Sequence, residues 1–185
     1  LNLLKIMNIH KCRKIIFSSS ACVYDEKNIL PFKENSKINP KSTYGLTKYA
    51  VEVYLRGLFK FDKSNWSIVI LRYFNPIGSH PSALINEDPK KVENIIPNLV
   101  RSISKKILFK IYGGNYKTLD GTCYRDYIHV VDLVKAHLSS FKILRKKNFE
   151  IFNVGTGNPH SVKNLILEFS TLLKYQIPYK IVNKR

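Results

Sequence analysis

Acidic side chains are scarce in this sequence: 13 aspartates and glutamates stand against 31 lysines and arginines, a formal charge of +18. Such an imbalance raises nucleic acid or an anionic membrane as a partner, because summed charge draws polyanions to a surface. The basic residues are spread along the whole chain, however, and their densest run is only Arg145-Lys146-Lys147. No concentrated basic block occurs, so nucleic acid is not expected as a partner. Long apolar runs are also missing. The longest aliphatic stretch, Ile68-Val69-Ile70-Leu71, falls far short of the roughly 20 residues that span a bilayer, and no membrane association is expected. Cys12, Cys22 and Cys123 are widely spaced, with no C-x-x-C pair, and the five histidines show no metal-ligand spacing. This excludes a disulfide framework and points to no metal. Reduced thiols fit a cytoplasmic enzyme. The amino end shows no signal-peptide pattern, and the only Met is Met7, so a longer reading frame is expected.

What is present is a regular alternation of strand and helix signals. Lys14 to Ser18 reads as a buried strand, followed by Ser19 and Ser20 and a polar stretch holding Pro31 and Pro40. Ser42 or Thr43 then offers an N-cap for a helix running to about Asp62, whose apolar face is read as Leu46, Tyr49, Ala50, Val53 and Leu58. A second buried strand, Ser67 to Arg72, completes a strand, helix, strand unit of the parallel type. Further on, the pattern predicts helices over Asn94–Lys105, Val131–Leu144 and Val162–Leu173. Strands are predicted at Phe109–Tyr112, Arg125–His129, Phe149–Val154 and Ile177–Val182. The fold class is α/β: a partial Rossmann-like parallel sheet with a smaller α/β domain.

Chemistry concentrates at Tyr44-Gly45-Leu46-Thr47-Lys48, where helical spacing places Tyr44 and Lys48 on one face. A phenol is a poor base at neutral pH; lowering a pKa of about 10 to about 7 takes about 4 kcal/mol of phenolate stabilisation. An ammonium about 4 Å away supplies that order at an effective dielectric of about 20. By itself a Tyr-x-x-x-Lys pair more often reports a packed Tyr beside a solvated Lys. Ser20, just past a strand, adds a hydroxyl that could bind the oxygen being deprotonated, so the three types form an acid-base constellation.

Two runs, Phe17-Ser18-Ser19-Ser20-Ala21-Cys22-Val23-Tyr24 and Ser42-Thr43-Tyr44-Gly45-Leu46-Thr47-Lys48, resemble the extended short-chain dehydrogenase/reductase superfamily. Two later runs narrow the resemblance to the UDP-glucose 4-epimerase family: Arg72-Tyr73-Phe74-Asn75-Pro76-Ile77-Gly78-Ser79-His80 and Asp120-Gly121-Thr122-Cys123-Tyr124-Arg125-Asp126-Tyr127-Ile128-His129-Val130. The resemblance implies that Tyr44 is the acid and base, Lys48 its electrostatic partner and a ribose ligand, and Ser20 the hydroxyl assisting proton transfer. It implies NAD as cofactor, contacted by Ser20, Tyr44 and Lys48 and bordered at the nicotinamide by Tyr73 and Phe74. Asn75, Asn94, Arg125 and Arg185 would hold the diphosphate of UDP-glucose or UDP-galactose, and Tyr112 would lie against the uracil. Guanidinium forks suit phosphate oxygens and aromatic faces suit bases. Implied too are an NAD-binding catalytic domain over 1–76, a UDP-sugar domain over 77–185 from which about 130–157 return to the first, and a homodimer for the whole protein. The reaction implied is reversible epimerisation at C4 through a transient 4-keto sugar. Alternatives are a sister epimerase acting on N-acetylated or pentose UDP-sugars, or a noncatalytic basic binding protein on the same scaffold.

Four positions depart from the family pattern: Cys22 for Thr, Asp25 for Gly, Glu93 for Asn and Cys123 for Gly. No glycine precedes Gly45, so the Gly-rich turn that receives a dinucleotide's pyrophosphate is expected upstream of Leu1, and the 185 residues by themselves are expected to be inactive. Gly155-Thr156-Gly157-Asn158-Pro159-His160 imitates such a turn, but its third Gly is His160 and no acidic residue stands about 20 positions beyond. It reads as a loop before a helix capped by Ser161.

Overall fold

The computed structural model describes residues 1–62, 65–84, 94–145 and 147–184. Along the chain run α1 (Asn2–Ile9), β1 (Lys14–Ser20), α2 (Thr43–Phe61), β2 (Ser67–Tyr73), β3 (Asn75–Ile77), α3 (Ile95–Ser104) and β4 (Phe109–Tyr112). There follow β5 (Tyr124–His129), α4 (Val130–Phe141), β6 (Asn148–Val154), β7 (Pro159–Ser161), α5 (Val162–Leu173) and β8 (Tyr179–Val182). Two units divide these elements, Leu1–Phe74 with Val131–Gly155, and Asn75–Val130 with Thr156–Arg185.

In the first unit three parallel strands lie in the order β1-β2-β6. The register pairs Ser20 with Tyr73, and Tyr73 with Val154, so the carboxyl ends of all three strands finish level. The central strand β2 is buried from Ser67 to Arg72, as a parallel strand covered on both faces must be. Strand alternation sends Ile68 and Ile70 to the face where Leu55 and Trp66 pack, with Leu4 and Met7 of α1 against them. On the opposite face His137 of α4 receives Ser18, whose Oγ lies 2.8 Å from Nε2.

Helix α2 starts as its sequence predicts, with Ser42 Oγ accepting the Gly45 N–H at 3.0 Å. Its inward face differs from the expected one. Leu46 is 56% exposed and Val53 50%, and Ala50 is also exposed, whereas Gly45, Glu52 and Leu55 are buried. The reason is that the inward stripe carries a charge satisfied by a partner and a glycine in close contact, neither of which an apolar count registers. A Cβ on Gly45 would stand 2.5 Å from the Cys22 carbonyl oxygen and 3.0 Å from Pro40 Cβ. The first turn of α2 therefore reaches the backbone after β1 because residue 45 has no side chain. Gly45→Ala should displace that turn, costing about 1–3 kcal/mol of stability, as overpacking does. A denaturant midpoint equal to wild type would show that the contact yields freely.

In the second unit β3 runs parallel and β7 antiparallel to β5. A separate parallel pair, β4 and β8, carries α3 and α5 through Leu99, Phe109, Ile111, Ile166 and Ile177. Strands β3 and β7, three residues each, are too short for periodicity to reveal. Ser161 caps α5 as expected, accepting the Asn164 N–H at 3.0 Å. Its hydroxyl also donates to Asp120, which accepts from the Thr122 N–H and hydroxyl, both at 2.8 Å. Burial pushes the Asp120 carboxyl up, but the hydrogen bonds from Ser161 and Thr122 outweigh it and hold the group below its ordinary range. A carboxyl depressed in the folded state contributes stability above its unfolded pKa of about 3.9 and loses it as pH falls through the folded value. Asp120→Asn should therefore flatten the acid limb of the stability curve, measured by urea midpoints from about pH 6 to 3. An unaltered limb would assign the acid sensitivity elsewhere.

Candidate functional site

The carboxyl end of β1, the first turns of α2 and the end of β2 meet within the first unit. Ser20, 5% exposed, ends β1 and its Oγ accepts the Cys22 N–H at 3.2 Å. Tyr44 on the first turn of α2 is 49% exposed. One turn later the Lys48 ammonium donates to the Ser18 carbonyl at 3.0 Å and stands 5.5 Å from the centre of the Tyr44 ring. The strand backbone therefore fixes Lys48, leaving two of its three N–H donors for a ligand. Tyr73 is the sheet neighbour of Ser20. Burial pushes its phenol above the ordinary value, and the adjacent Tyr44 pushes it further. Phe74 follows, its N–H bonded to the Val154 carbonyl at 3.1 Å and its ring stacked 6.5 Å from Phe32. Ser20, Tyr44, Lys48 and Tyr73 thus form one cluster. A half-exposed phenol, a pinned ammonium and a hydroxyl at a strand end can abstract and return a proton at a ligand oxygen.

The remaining candidates fall in the second unit or outside the described residues. Asn75 donates through Nδ2 to the Asp126 carbonyl at 2.8 Å. Asn94 is the N-cap residue of α3 and is exposed, without a side-chain cap bond. Tyr112 ends β4 at 39% exposure. Arg125 is exposed on β5, with Nη1 donating to the Tyr124 carbonyl at 3.0 Å. Arg185, and Glu93 among the departures, lie outside the described residues. A recess of about 360 Å³ at the carboxyl end of α5, lined by Ile166, Ser170, Tyr175 and others, contains none of these residues.

Tyr127 was not singled out from the sequence. It is 8% exposed, and its hydroxyl has no hydrogen-bond partner among the described residues. Burial pushes it up to about 12. A buried hydroxyl without a partner is costly. The signal available in the sequence was its position two residues after Arg125.

Among the departures, Cys22 keeps its backbone role beside Ser20 and exposes its thiol. Asp25 is 3% exposed, and the Lys27 N–H and Asn39 side chain hold its carboxyl below the ordinary range. The Cys123 carbonyl accepts the Val162 N–H at 3.2 Å. The imitation Gly turn is also explained. Asp126 accepts the Thr156 N–H at 2.9 Å and the Gly157 N–H at 2.8 Å, so these donors already serve a carboxylate and are not open to a phosphate. No group of three or more His, Cys, Asp or Glu that could hold a metal ion occurs among the described residues, and no described helix is long and apolar enough to cross a membrane.

Comparison with known proteins matches this architecture. A UDP-glucose 4-epimerase of Dictyostelium discoideum is 41% identical over all of the chain, which covers 55% of that protein. One from Yersinia enterocolitica is 42% identical, again over 100% of the chain and 55% of the relative. The crystal structure of UDP-glucose 4-epimerase from Bifidobacterium longum in complex with NAD+ and UDP superimposes with a TM-score of 0.91 at 40% identity, over 99% of this chain and 55% of that one. The chain spans about half the length of the curated relatives it matches. With residues 1–155 matching its family description, and with the parallel sheet and the Ser, Tyr, Lys cluster in place, the chain belongs to the NAD dependent epimerase/dehydratase family.

Proposed function

We propose that the whole protein interconverts UDP-glucose and UDP-galactose by epimerisation at C4, with NAD as cofactor. The observation that carries this reading is Lys48 pinned to the Ser18 carbonyl and set beside the Tyr44 ring. The residues present fit the nicotinamide riboside end of the cofactor. Lys48 keeps two free donors for ribose hydroxyls, and Tyr73 and Phe74 close the ends of the strands with aromatic faces. Bound NAD supplies reversible hydride chemistry at C4. Tyr44 takes the proton of the 4-hydroxyl and returns it, Ser20 holds the same oxygen by a hydrogen bond, and the Lys48 charge stabilises the phenolate in between. Asn75, Asn94, Arg125 and Arg185 bind the diphosphate, and Tyr112 packs on the uracil.

The three free cysteines support a cytoplasmic location. Outward apolar side chains on α2, among them Leu46, Val53 and Tyr54, support a homodimer. The 185 residues contain no glycine before Gly45, so by themselves they lack a pyrophosphate turn and are expected to be inactive. The test is to incubate the whole protein with NAD and UDP-glucose and follow UDP-galactose by chromatography. Tight UDP-sugar binding with no galactose product would overturn the proposal in favour of a binding protein.

A further inference from the structure

Behind the Ser, Tyr, Lys cluster lies a buried ion pair. Glu52 is 1% and Arg72 2% exposed, and Arg72 Nη2 stands 2.6 Å from Glu52 Oε2. Arg72 Nε donates to the same carboxylate at 3.0 and 3.2 Å. The Ser19 hydroxyl donates to Glu52 Oε1 at 2.5 Å. The other side of the guanidinium holds a loop: Nη1 donates to the Tyr24 hydroxyl at 3.0 Å and to the Glu34 carbonyl at 2.9 Å. The Tyr24 hydroxyl donates to Asn153 Oδ1 at 2.6 Å, and the Glu34 carboxylate accepts the Asn153 N–H at 2.9 Å. Burial lowers the Arg72 affinity for its proton, but Glu52 and Tyr24 outweigh this and hold the group charged, above its ordinary value.

The sequence positions of this network give it a function. Ser19 and Arg72, register partners in the sheet, immediately precede Ser20 and Tyr73. Glu52 lies one helical turn beyond Lys48 on the inward face of α2. Each member thus stands directly behind a member of the reactive cluster. Stability is a poor explanation for the pair, because desolvation offsets most of the attraction and apolar replacements of similar volume are often neutral or stabilising. Geometry is a better one, since fork and carboxylate fix separation and orientation together. We propose that Glu52 and Arg72 are positioning residues that set the distances among Ser20, Tyr44, Lys48 and Tyr73, a role that rests on the epimerase reading above.

The decisive variant is Glu52→Met with Arg72→Met in the whole protein, compared with wild type and with Arg72→Lys. The double variant should remain folded, because no unpaired charge remains, with a lowered thermal midpoint because the Ser19 hydroxyl and the Glu34 carbonyl lose partners. Its kcat should fall about 100-fold, the cost of a shift of about 1 Å in a reacting group, with KM for UDP-glucose within about fivefold. Arg72→Lys retains the charge and loses the fork, and should lower kcat about tenfold. Amide exchange over residues 18–24 and 43–49 should quicken about tenfold or more in both variants. A folded variant with wild-type kcat and exchange would overturn the proposal. If the double variant does not fold, Arg72→Lys decides in the same way. If wild type does not turn over UDP-glucose, the epimerase reading fails separately, and unchanged exchange in folded variants still overturns the positioning role.

Discussion

In the whole protein, and on the proposed reading, replacing Tyr44 with Phe should lower C4 epimerisation by about three orders of magnitude while leaving UDP-sugar affinity within a few fold, since a positioned acid-base group contributes about 10²–10⁴ in rate. The substitution keeps the ring, which is 49% exposed, and removes one oxygen with its hydrogen bond to Tyr73. The Lys48 bond to the Ser18 carbonyl is independent of the phenol and should persist. The loss therefore falls on proton transfer, and its kinetic mark is a reduced kcat with little change in KM. Turnover within about tenfold of wild type, with product confirmed as UDP-galactose, would remove Tyr44 from the role of base. Tyr73 would then be the phenol to examine, although its proton is held more tightly than usual by burial.

Strand β2 was legible because a parallel strand covered on both faces is written as a short aliphatic run, and β1 and β6 because short apolar segments stand between polar residues. The caps of α2 and α5 were legible because Ser42 and Ser161 stand where a hydroxyl can accept the third helical N–H. The proximity of Ser20, Tyr44, Lys48 and Tyr73 follows from helical spacing on α2 and from the level ends of β1 and β2. The orientation of α2 was not legible. Its inward face is written with Gly45 and Glu52, and a buried charge can be recognised only when its partner, 20 residues away in Arg72, is seen at 2.6 Å. Tyr127 was missed for a related reason: an aromatic on a strand reads as core, and only the structure reveals that its hydroxyl lacks a partner. Helical spacing set Tyr44 and Lys48 on one face of α2, and the Lys48 ammonium lies 5.5 Å from the Tyr44 ring centre while donating to the Ser18 carbonyl.

Lys48 carries the second large effect. In the whole protein, Lys48→Met removes the ammonium that stands beside the Tyr44 ring and donates to the Ser18 carbonyl. On the proposed reading this should lower kcat for UDP-galactose formation about 10- to 100-fold, towards the loss of a positioned acid-base contribution. NAD affinity should fall as well, since Lys48 is also assigned to the ribose. The measurement is kcat together with calorimetric titration of NAD. Loss of both supports both roles; a wild-type kcat with weaker NAD binding would separate the ammonium from proton transfer and leave Lys48 as a cofactor ligand alone.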